Sequence, residues 1–384
     1  MTKRTLVFVA ATFSLLGSGC GARANQGPAP RSPSPPPKRN ALTVDRVATG
    51  FSHPWGFVLL PDGRFLVTER PGRMRIVSAD GRIGAPLTGV PAVAASGQGG
   101  LLDVTLDPRF GTNRRIFFSY AEPGTGGTAG TTVARARLAE SGLEDLRVIY
   151  RQEPKVSGGG HFGSRVVFVN DTVLFITNGD RVSYRPMVQD LQTHVGKIVR
   201  VTVDGGIPRD NPFVGRTDVR PEIWSYGHRN LQGAVWDPAT SRLWTVEHGA
   251  AGGDELNHPE AGKNYGWPVI SYGREYSGRS IGEGITVRQG MEQPVYYWDP
   301  IIAPSGMIVY SGNAFPGWKG NILIGGLASQ TLVRLVISGG AVTLEERYLG
   351  EVGQRIRDVQ EGPDGFIYVI TDEDPGSLLR IRPK

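Results

Sequence analysis

Cysteine is almost absent from this sequence: one residue, Cys20, occurs among 384. A chain with a single thiol cannot close an internal disulfide. It also lacks the paired cysteines of a thiolate metal site and of the CxxCH motif that attaches haem. Because no cysteine follows residue 20, the stability of the remaining chain must come from packing.

Long apolar runs are also scarce. The run at 6–16 is shorter than the roughly 20 residues that span a bilayer, and it follows two basic residues, as in a signal peptide. Since LLGSGC ends at Cys20, we predict a lipoprotein signal peptide over 1–20, with Cys20 acylated. Ordinary export with cleavage near Ala22 or Ala24 is the alternative. Both alternatives predict an exported protein of the bacterial cell envelope. It is periplasmic after ordinary cleavage and lipid-anchored if Cys20 is acylated, and this anchor is its only predicted membrane contact.

Most of the chain also lacks an excess of charge of one sign. Six basic and no acidic residues precede position 41, so the formal net charge of +6 lies there, and 36 basic residues face 36 acidic ones in the remainder. A neutral domain argues against nucleic acid as a partner. Segment 21–40 is rich in proline and predicts an extended tether before a folded domain at 41–384.

No segment has the pattern of a long amphipathic helix. Instead, a turn rich in Pro, Asp, Gly or Asn precedes a short alternating strand, as at Phe65 and Val67. Six copies of this unit occur, at 60–69, 107–121, 169–180, 237–249, 315–327 and 362–373. They start roughly fifty to eighty residues apart, about the length of a four-stranded sheet with loops. We therefore predict an all-β fold, a six-bladed β-propeller of four-stranded antiparallel blades. A pair of β-sandwiches is the alternative.

Ionisable and aromatic residues stand among glycines at 225–268 without any helical or strand period. Such segments are typical of loops that carry a site on a rigid scaffold. Loops on one face of a propeller converge on its axis, so residues distant in sequence can share one site. This convergence allows His161, which follows three glycines, to be grouped with the segment.

Eight segments of this sequence together resemble the quinoprotein glucose/sorbosone dehydrogenase family, and within it the soluble aldose sugar dehydrogenases that depend on pyrroloquinoline quinone (PQQ). They are HPWGFVLLPDGRFLVTERPGR (53–73), GQGGLLDVTLDPRF (97–110), GGGHFGSRVVF (158–168), GHRNLQG (227–233), EHGAAGGDELN (247–257), KNYGWPV (263–269), APSGM (303–307) and QRIRDVQEGPDG (354–365). The likeness covers 42–384. It implies a six-bladed propeller, bound Ca²⁺ and PQQ, oxidation of the anomeric C1 hydroxyl of aldoses to lactones, and an external electron acceptor.

The resemblance assigns His161 as the base that removes the hydroxyl proton. A neutral imidazole suits this role, because its usual pKa of about 6.5 lies near working pH. The match also places Asp180 beside the base, where a carboxylate can hold the imidazole tautomer and stabilise the imidazolium. Without the resemblance, a turn-capping histidine and a turn aspartate bonded to backbone amides are the plain interpretations.

PQQ is a tricarboxylate, and arginine and amide donors pair well with carboxylates. The residues at the family's cofactor positions are Gln98, Arg229, Asn230, Arg355 and Arg357. Arg355 and Arg357 are spaced to lie on one face of a strand. Some relatives carry a lysine where this chain has Ala328, so one cofactor contact is lost or supplied by another group.

The resemblance also implies where calcium binds. The backbone carbonyls of Gly249 and Ala250 match ligands of the ion that bridges to the quinone, and Glu255 and Tyr265 match metal contacts at a second ion. Two other functions stay open for such a propeller: a calcium-dependent sugar-lactone hydrolase, which needs no redox cofactor, and a non-catalytic module that binds carbohydrate or protein.

Overall fold

The computed structural model describes residues 35–39 and 41–384. The predicted signal peptide, its acylated Cys20 and most of the tether lie outside the described residues. Within the tether, the backbone N–H of Lys38 donates to the carbonyl of Arg347 at 2.7 Å, so this end of the tether lies against the folded domain. None of the helices in the described ranges is long and apolar enough to cross a membrane.

The described domain is built from 24 strands. In chain order they are β1 (Leu42–Phe51), β2 (Pro54–Leu59), β3 (Phe65–Glu69), β4 (Arg73–Val77), β5 (Ile83–Pro86), β6 (Leu101–Leu106), β7 (Arg115–Pro123), β8 (Ala129–Leu138), β9 (Leu143–Arg151), β10 (Val166–Phe168), β11 (Val173–Thr177), β12 (Lys197–Thr202), β13 (Ile223–Tyr226), β14 (Leu231–Asp237), β15 (Arg242–Glu247), β16 (Asp254–Asn257), β17 (Tyr296–Trp298), β18 (Pro304–Val309), β19 (Ile322–Gly326), β20 (Leu332–Ser338), β21 (Ala341–Tyr348), β22 (Ile356–Glu361), β23 (Ile367–Thr371) and β24 (Gly376–Pro383). The helical segments of this part of the chain are short: α1 (Phe110–Asn113) and 3₁₀ turns at Thr125–Gly127, Arg185–Val188 and Gly350–Val352.

These strands form six antiparallel sheets of four strands each. Five sheets use four consecutive strands, starting at β2, β6, β10, β14 and β18. The sixth contains β22, β23 and β24, with β1 as its outer strand. The first strands of the six sheets contact one another in a closed ring, which makes the molecule a six-bladed propeller. The predicted fold is confirmed, and each of the six sequence repeats lies on the hairpin between a blade's first and second strands.

Packing between blades buries the second strand of a blade. All five residues of β3 are buried, as are those of β11, β19 and β23, because each blade is covered on both faces by its neighbours. Between the first two blades, Leu66 and Met74 pack with Ile116 and Phe118. The antiparallel pairing of β1 with β24 joins the two ends of the domain and closes the ring.

A buried ion cluster lies among the first strands of the blades. The Arg165 guanidinium is 2.9 Å from Asp103 Oδ1 on β6 and 3.0 Å from Asp358 Oδ1 on β22. Its Nε donates to the carbonyl of Gln232 on β14 at 2.7 Å. Burial raises the pKa of Asp103, and it raises that of Asp358 to about 6. One cation therefore ties four blades together, because Arg165 itself directly precedes β10.

Candidate functional site

His161 and Asp180 meet in the structure, although 18 residues separate them in the sequence. His161 lies in the loop between β9 and β10, and Asp180 follows β11. The imidazole Nδ1 is 2.6 Å from Asp180 Oδ1. Asp180 is fully buried and His161 is 8% exposed, so the carboxylate is sealed behind an imidazole that retains a little solvent access. This is the arrangement of a base with an orienting acid.

The electrostatics of this pair favour a neutral imidazole and an ionised carboxylate. Burial lowers the pKa of His161, and the positive charge of Arg229 adds to that effect, against the opposing hydrogen bond to Asp180. Burial raises the pKa of Asp180, but its hydrogen bond to His161, the positive charges of His161 and Arg229 and the N–H of Val182 together outweigh burial and hold the pKa below the usual 3.8. With Nδ1–H donating to Asp180, Nε2 is the nitrogen that can accept a proton.

Arg181 shapes the loop that carries the base, a role that the sequence motif did not reveal. Its guanidinium donates to the carbonyls of Gly158 and Gly160 and lies 3.5 Å from the ring centre of Phe162. Burial lowers the pKa of Arg181 to about 10. His161 has a φ of 51° and Arg181 a φ of 55°, both in the left-handed region that costs non-glycine residues energy. Backbone strain thus accumulates at the histidine, where the Arg181 contacts hold it in place.

Three of the predicted cofactor residues, Gln98, Arg355 and Arg357, line a cavity of about 350 Å³. Gln98 Oε1 accepts the backbone N–H of His161 at 2.8 Å, which links the cavity to the base. Arg355 and Arg357 both approach Asp372. Arg70 is 3.7 Å from the same carboxylate. Three guanidinium groups share one carboxylate, so this wall keeps a net positive charge and suits an anion.

Several buried donors in this region have no acceptor among residues 35–39 and 41–384. They include Arg70 Nε, Arg229 Nε, Asn230 Nδ2 and Arg357 Nε. A buried donor left unpaired costs about 1–3 kcal/mol. A ligand with several carboxylate and carbonyl oxygens would satisfy such donors, so the residues present fit PQQ.

Arg229 and Asn230 approach the site from the loop before β14. The guanidinium of Arg229 donates to the carbonyls of His248, at 3.0 Å, and of Gly249. Asn230 is fully buried, and its Oδ1 is 3.3 Å from the backbone N of Gly163. Arg229 thus bonds to His248, which lines the cavity, and Asn230 lies against the loop that carries His161.

Three of the four predicted metal residues, Gly249, Glu255 and Tyr265, line a second, smaller space next to Trp267. The fourth, Ala250, is fully buried. Burial and the neighbouring Glu247 raise the pKa of Glu255 to about 8, because two carboxylates there repel each other. A cation would relieve that repulsion, so the oxygen-rich donor set fits Ca²⁺.

The geometry limits what some of these atoms can ligate. The Tyr265 hydroxyl donates to the carbonyl of His258 at 2.6 Å, so its hydroxyl serves the loop and its backbone oxygen is the remaining ligand atom. The Gly249 carbonyl accepts a hydrogen bond from Arg229, so a metal ion there would share this oxygen with Arg229. In residues 35–39 and 41–384, no three His, Cys, Asp or Glu side chains are grouped to hold a metal ion, so a cation would also need backbone oxygens.

The histidines of segment 225–268 have contacts of their own, and His248 also lines both spaces. His228 lies between Ser225 and Glu247, and its ring stacks on Tyr265 at 4.9 Å. Burial lowers the pKa of His248 to about 3, and its Nε2 lies 2.8 Å from the carbonyl of Pro304.

Ala328 stands at the position where some relatives have lysine. It follows Leu327, whose carbonyl is 3.4 Å from Arg355 Nη1, so an arginine supplies positive charge next to this position.

Comparisons with known proteins identify relatives of this chain. The family model described as Glucose / Sorbosone dehydrogenase matches residues 51–380. The aldose sugar dehydrogenase YliI of Escherichia coli (strain K12) is 46% identical over 347 residues, which are 89% of this chain and 93% of that protein.

Two solved structures share the fold. The soluble aldose sugar dehydrogenase from Escherichia coli in the apo-form superposes with a TM-score of 0.86 and 46% identity, over 89% of this chain and 100% of that one. The PQQ-bound form of an aldose sugar dehydrogenase from Streptomyces coelicolor has a TM-score of 0.72 and 28% identity, over 91% of this chain and 100% of that one.

Proposed function

The chain belongs to the glucose/sorbosone dehydrogenase family, and from that membership we propose that it is a PQQ- and Ca²⁺-dependent dehydrogenase that oxidises the anomeric C1 hydroxyl of aldoses to lactones. The observation that carries the proposal is the His161–Asp180 pair, which Gln98 connects to a cavity with a positive wall and unpaired buried donors. A base next to a place for an anionic acceptor is what the oxidation of an alcohol requires.

His161 Nε2 takes the proton of the C1 hydroxyl, and Asp180 stabilises the imidazolium that results. Conversion of the C1 alcohol to a lactone releases two electrons and two protons, one of which passes to His161. When bound, PQQ supplies the two-electron acceptor. Gln98, Arg229, Asn230, Arg355 and Arg357 would hold its carboxylates and carbonyls. The electrons then leave to an external acceptor, as membership of the dehydrogenase family implies.

We propose that Ca²⁺ binds at the space lined by Gly249 and Glu255, and Glu255→Gln tests this. In protein without PQQ, Ca²⁺ at 100 times its Kd should stabilise the wild type by about 2.7 kcal/mol, and the variant should lose most of that gain. Without Ca²⁺ the variant should be at least as stable as the wild type, because the amide removes the repulsion from Glu247. Thermal unfolding with and without Ca²⁺ measures both effects.

Glu283→Gln is the matched control, because Glu283 is an exposed carboxylate that pairs with Arg288 within the β16–β17 connection. It should keep the full Ca²⁺ response. An equal Ca²⁺ response in Glu255→Gln and in the wild type would remove Glu255 from the metal site.

Reconstitution tests the proposed reaction itself. Purified apo-protein receives Ca²⁺ and PQQ, and reduction of a redox dye is followed with a panel of aldoses. We expect dye reduction that depends on both additions and on the sugar, with a lactone as product. Lactone hydrolysis without PQQ would instead favour the hydrolase, and sugar binding without turnover would favour the binding module. Absence of dye reduction in folded protein contradicts the proposal.

Export of the protein and acylation of Cys20 stay predictions, because residues 1–34 lie outside the described ones. They place the proposed enzyme in the cell envelope, where sugars and external acceptors reach it without crossing the inner membrane.

A further inference from the structure

The buried carboxylate of Asp180 has a partner besides the base. The indole Nε1 of Trp267 donates to Asp180 Oδ2 at 2.8 Å, while His161 holds Oδ1. Trp267 belongs to the long connection between β16 and β17, on a different blade from Asp180. The two oxygens of one carboxylate are thus fixed from two directions, which sets the plane of the carboxyl group.

Trp267 is itself firmly held, through both its backbone and its ring. Its backbone N–H donates to the carbonyl of Gly227 at 2.9 Å, and Gln189 Nε2 donates to its backbone carbonyl at 2.7 Å. The guanidinium groups of Arg185 and Arg229 lie 5.0 and 5.2 Å from the centre of the indole ring system. Arg185 lies in the same loop as Asp180, and it forms an ion pair with Glu275 in the same loop as Trp267. This ion pair joins the two loops.

We propose that Trp267 is a positioning residue for proton transfer: its indole N–H fixes the Asp180 carboxylate so that Oδ1 faces the imidazole. The inference rests on the proposed function and adds a residue to it. A donor on Oδ2 also withdraws charge from the carboxylate. Asp180 therefore holds the proton on His161 less tightly, and the imidazole stays neutral to lower pH.

Trp267→Phe tests the role, because it keeps an aromatic ring and removes only the donor. Without the donor, Asp180 becomes more basic and the His161 pKa should rise by about one unit. Since the base works only when neutral, the acid limb of kcat/KM against pH should move upward by the same amount. We expect kcat to fall about ten-fold and KM to change little.

The other charged and titratable groups around the pair are unchanged by this substitution. They are Arg181 and Arg185 in the loop of Asp180, Arg229 before β14, His248 after β15 and Glu275 in the β16–β17 connection. A shift in the His161 titration would therefore report the lost N–H.

Trp224→Phe is the matched control. Trp224 also donates its indole N–H, to the carbonyl of Pro259 at 3.2 Å, and also has an arginine near its ring, Arg200 at 5.3 Å. No catalytic carboxylate accepts from it. The control should therefore leave the His161 titration and the pH profile unchanged.

The titration of His161 is followed by NMR in the apo-protein, so it needs neither PQQ nor turnover. If reconstitution gives no dye reduction, the proposed function fails while this test still decides the role of Trp267. An unchanged His161 titration in folded Trp267→Phe overturns the inference, and so does a loss of activity with no change in pH profile. If that variant does not fold, the wild type decides: its Trp267 indole N–H resonance should shift as His161 titrates, and no shift contradicts the role.

Discussion

Replacing His161 by alanine should lower aldose turnover by about 10²–10⁴-fold while PQQ still binds. The substitution removes the only group of the Asp180 pair that can take the hydroxyl proton. It leaves in place the guanidinium groups and amides around the cavity. Steady-state dye reduction measures the loss, and an absorbance titration of apo-protein with PQQ measures cofactor binding. We expect kcat to fall much more than the affinity for PQQ.

Two further variants make this result interpretable. His161 has a φ of 51°, which strains alanine, whereas asparagine tolerates this region, so His161→Asn removes the base with less effect on the loop. His258→Ala is the control, because this half-buried histidine lies beside Trp244 at 5.5 Å between ring centres and has no part in the proposed reaction. Wild-type turnover in both His161 variants would falsify the assignment of the base.

Replacing Arg165 by leucine should destabilise the propeller by about 3–5 kcal/mol, because this one cation pairs with two buried carboxylates. Removing one partner of a buried pair leaves an uncompensated charge, and here Asp103 and Asp358 would also repel each other. Urea unfolding of the apo-protein at neutral pH measures the difference. Arg64→Leu is the control: its ion pair with Asp62 is solvent-exposed and should contribute little.

The pH dependence of this variant has a definite sign. Burial already raises the pKa of Asp358 to about 6, and loss of the Arg165 charge should raise the pKa of both carboxylates further. A carboxyl whose pKa is higher in the folded state binds protons preferentially in that state, so it stabilises the fold as pH falls. The deficit of Arg165→Leu should therefore shrink between pH 7 and pH 5. A deficit that is absent at pH 7, or that grows on acidification, contradicts the role given to Arg165.

The local sequence pattern was sufficient to predict the six-bladed architecture. Each repeat places turn residues before a short alternating strand, and both properties depend on neighbours in the sequence. Counting such units predicted six blades correctly. The closing of the ring was not predicted, because β1 and β24 lie at opposite ends of the described domain and pair only once five blades stand between them.

Residue types and motifs also indicated most of the site. The sequence selected His161, Asp180 and five cofactor residues. The structure pairs His161 with Asp180 and places Gln98, Arg355 and Arg357 around one cavity, while the roles of these residues stay predictions. The sequence predicted Tyr265 as a metal contact but did not show which of its oxygens would bind the ion. Its hydroxyl donates to the carbonyl of His258, which leaves the backbone oxygen for a metal.

The sequence by itself determined the repeating unit, restricted cysteine to residue 20 and selected His161 as the candidate base. Tertiary structure alone decided what surrounds that base. Arg165 and Trp267 lie in segments that carry the family resemblance and Arg181 follows Asp180, but the sequence did not show the roles of these residues, which depend on partners contributed by distant loops and other blades. Whether a buried arginine or indole acts on a site depends on which charges lie within a few ångströms of it, and folding of the whole ring sets those distances.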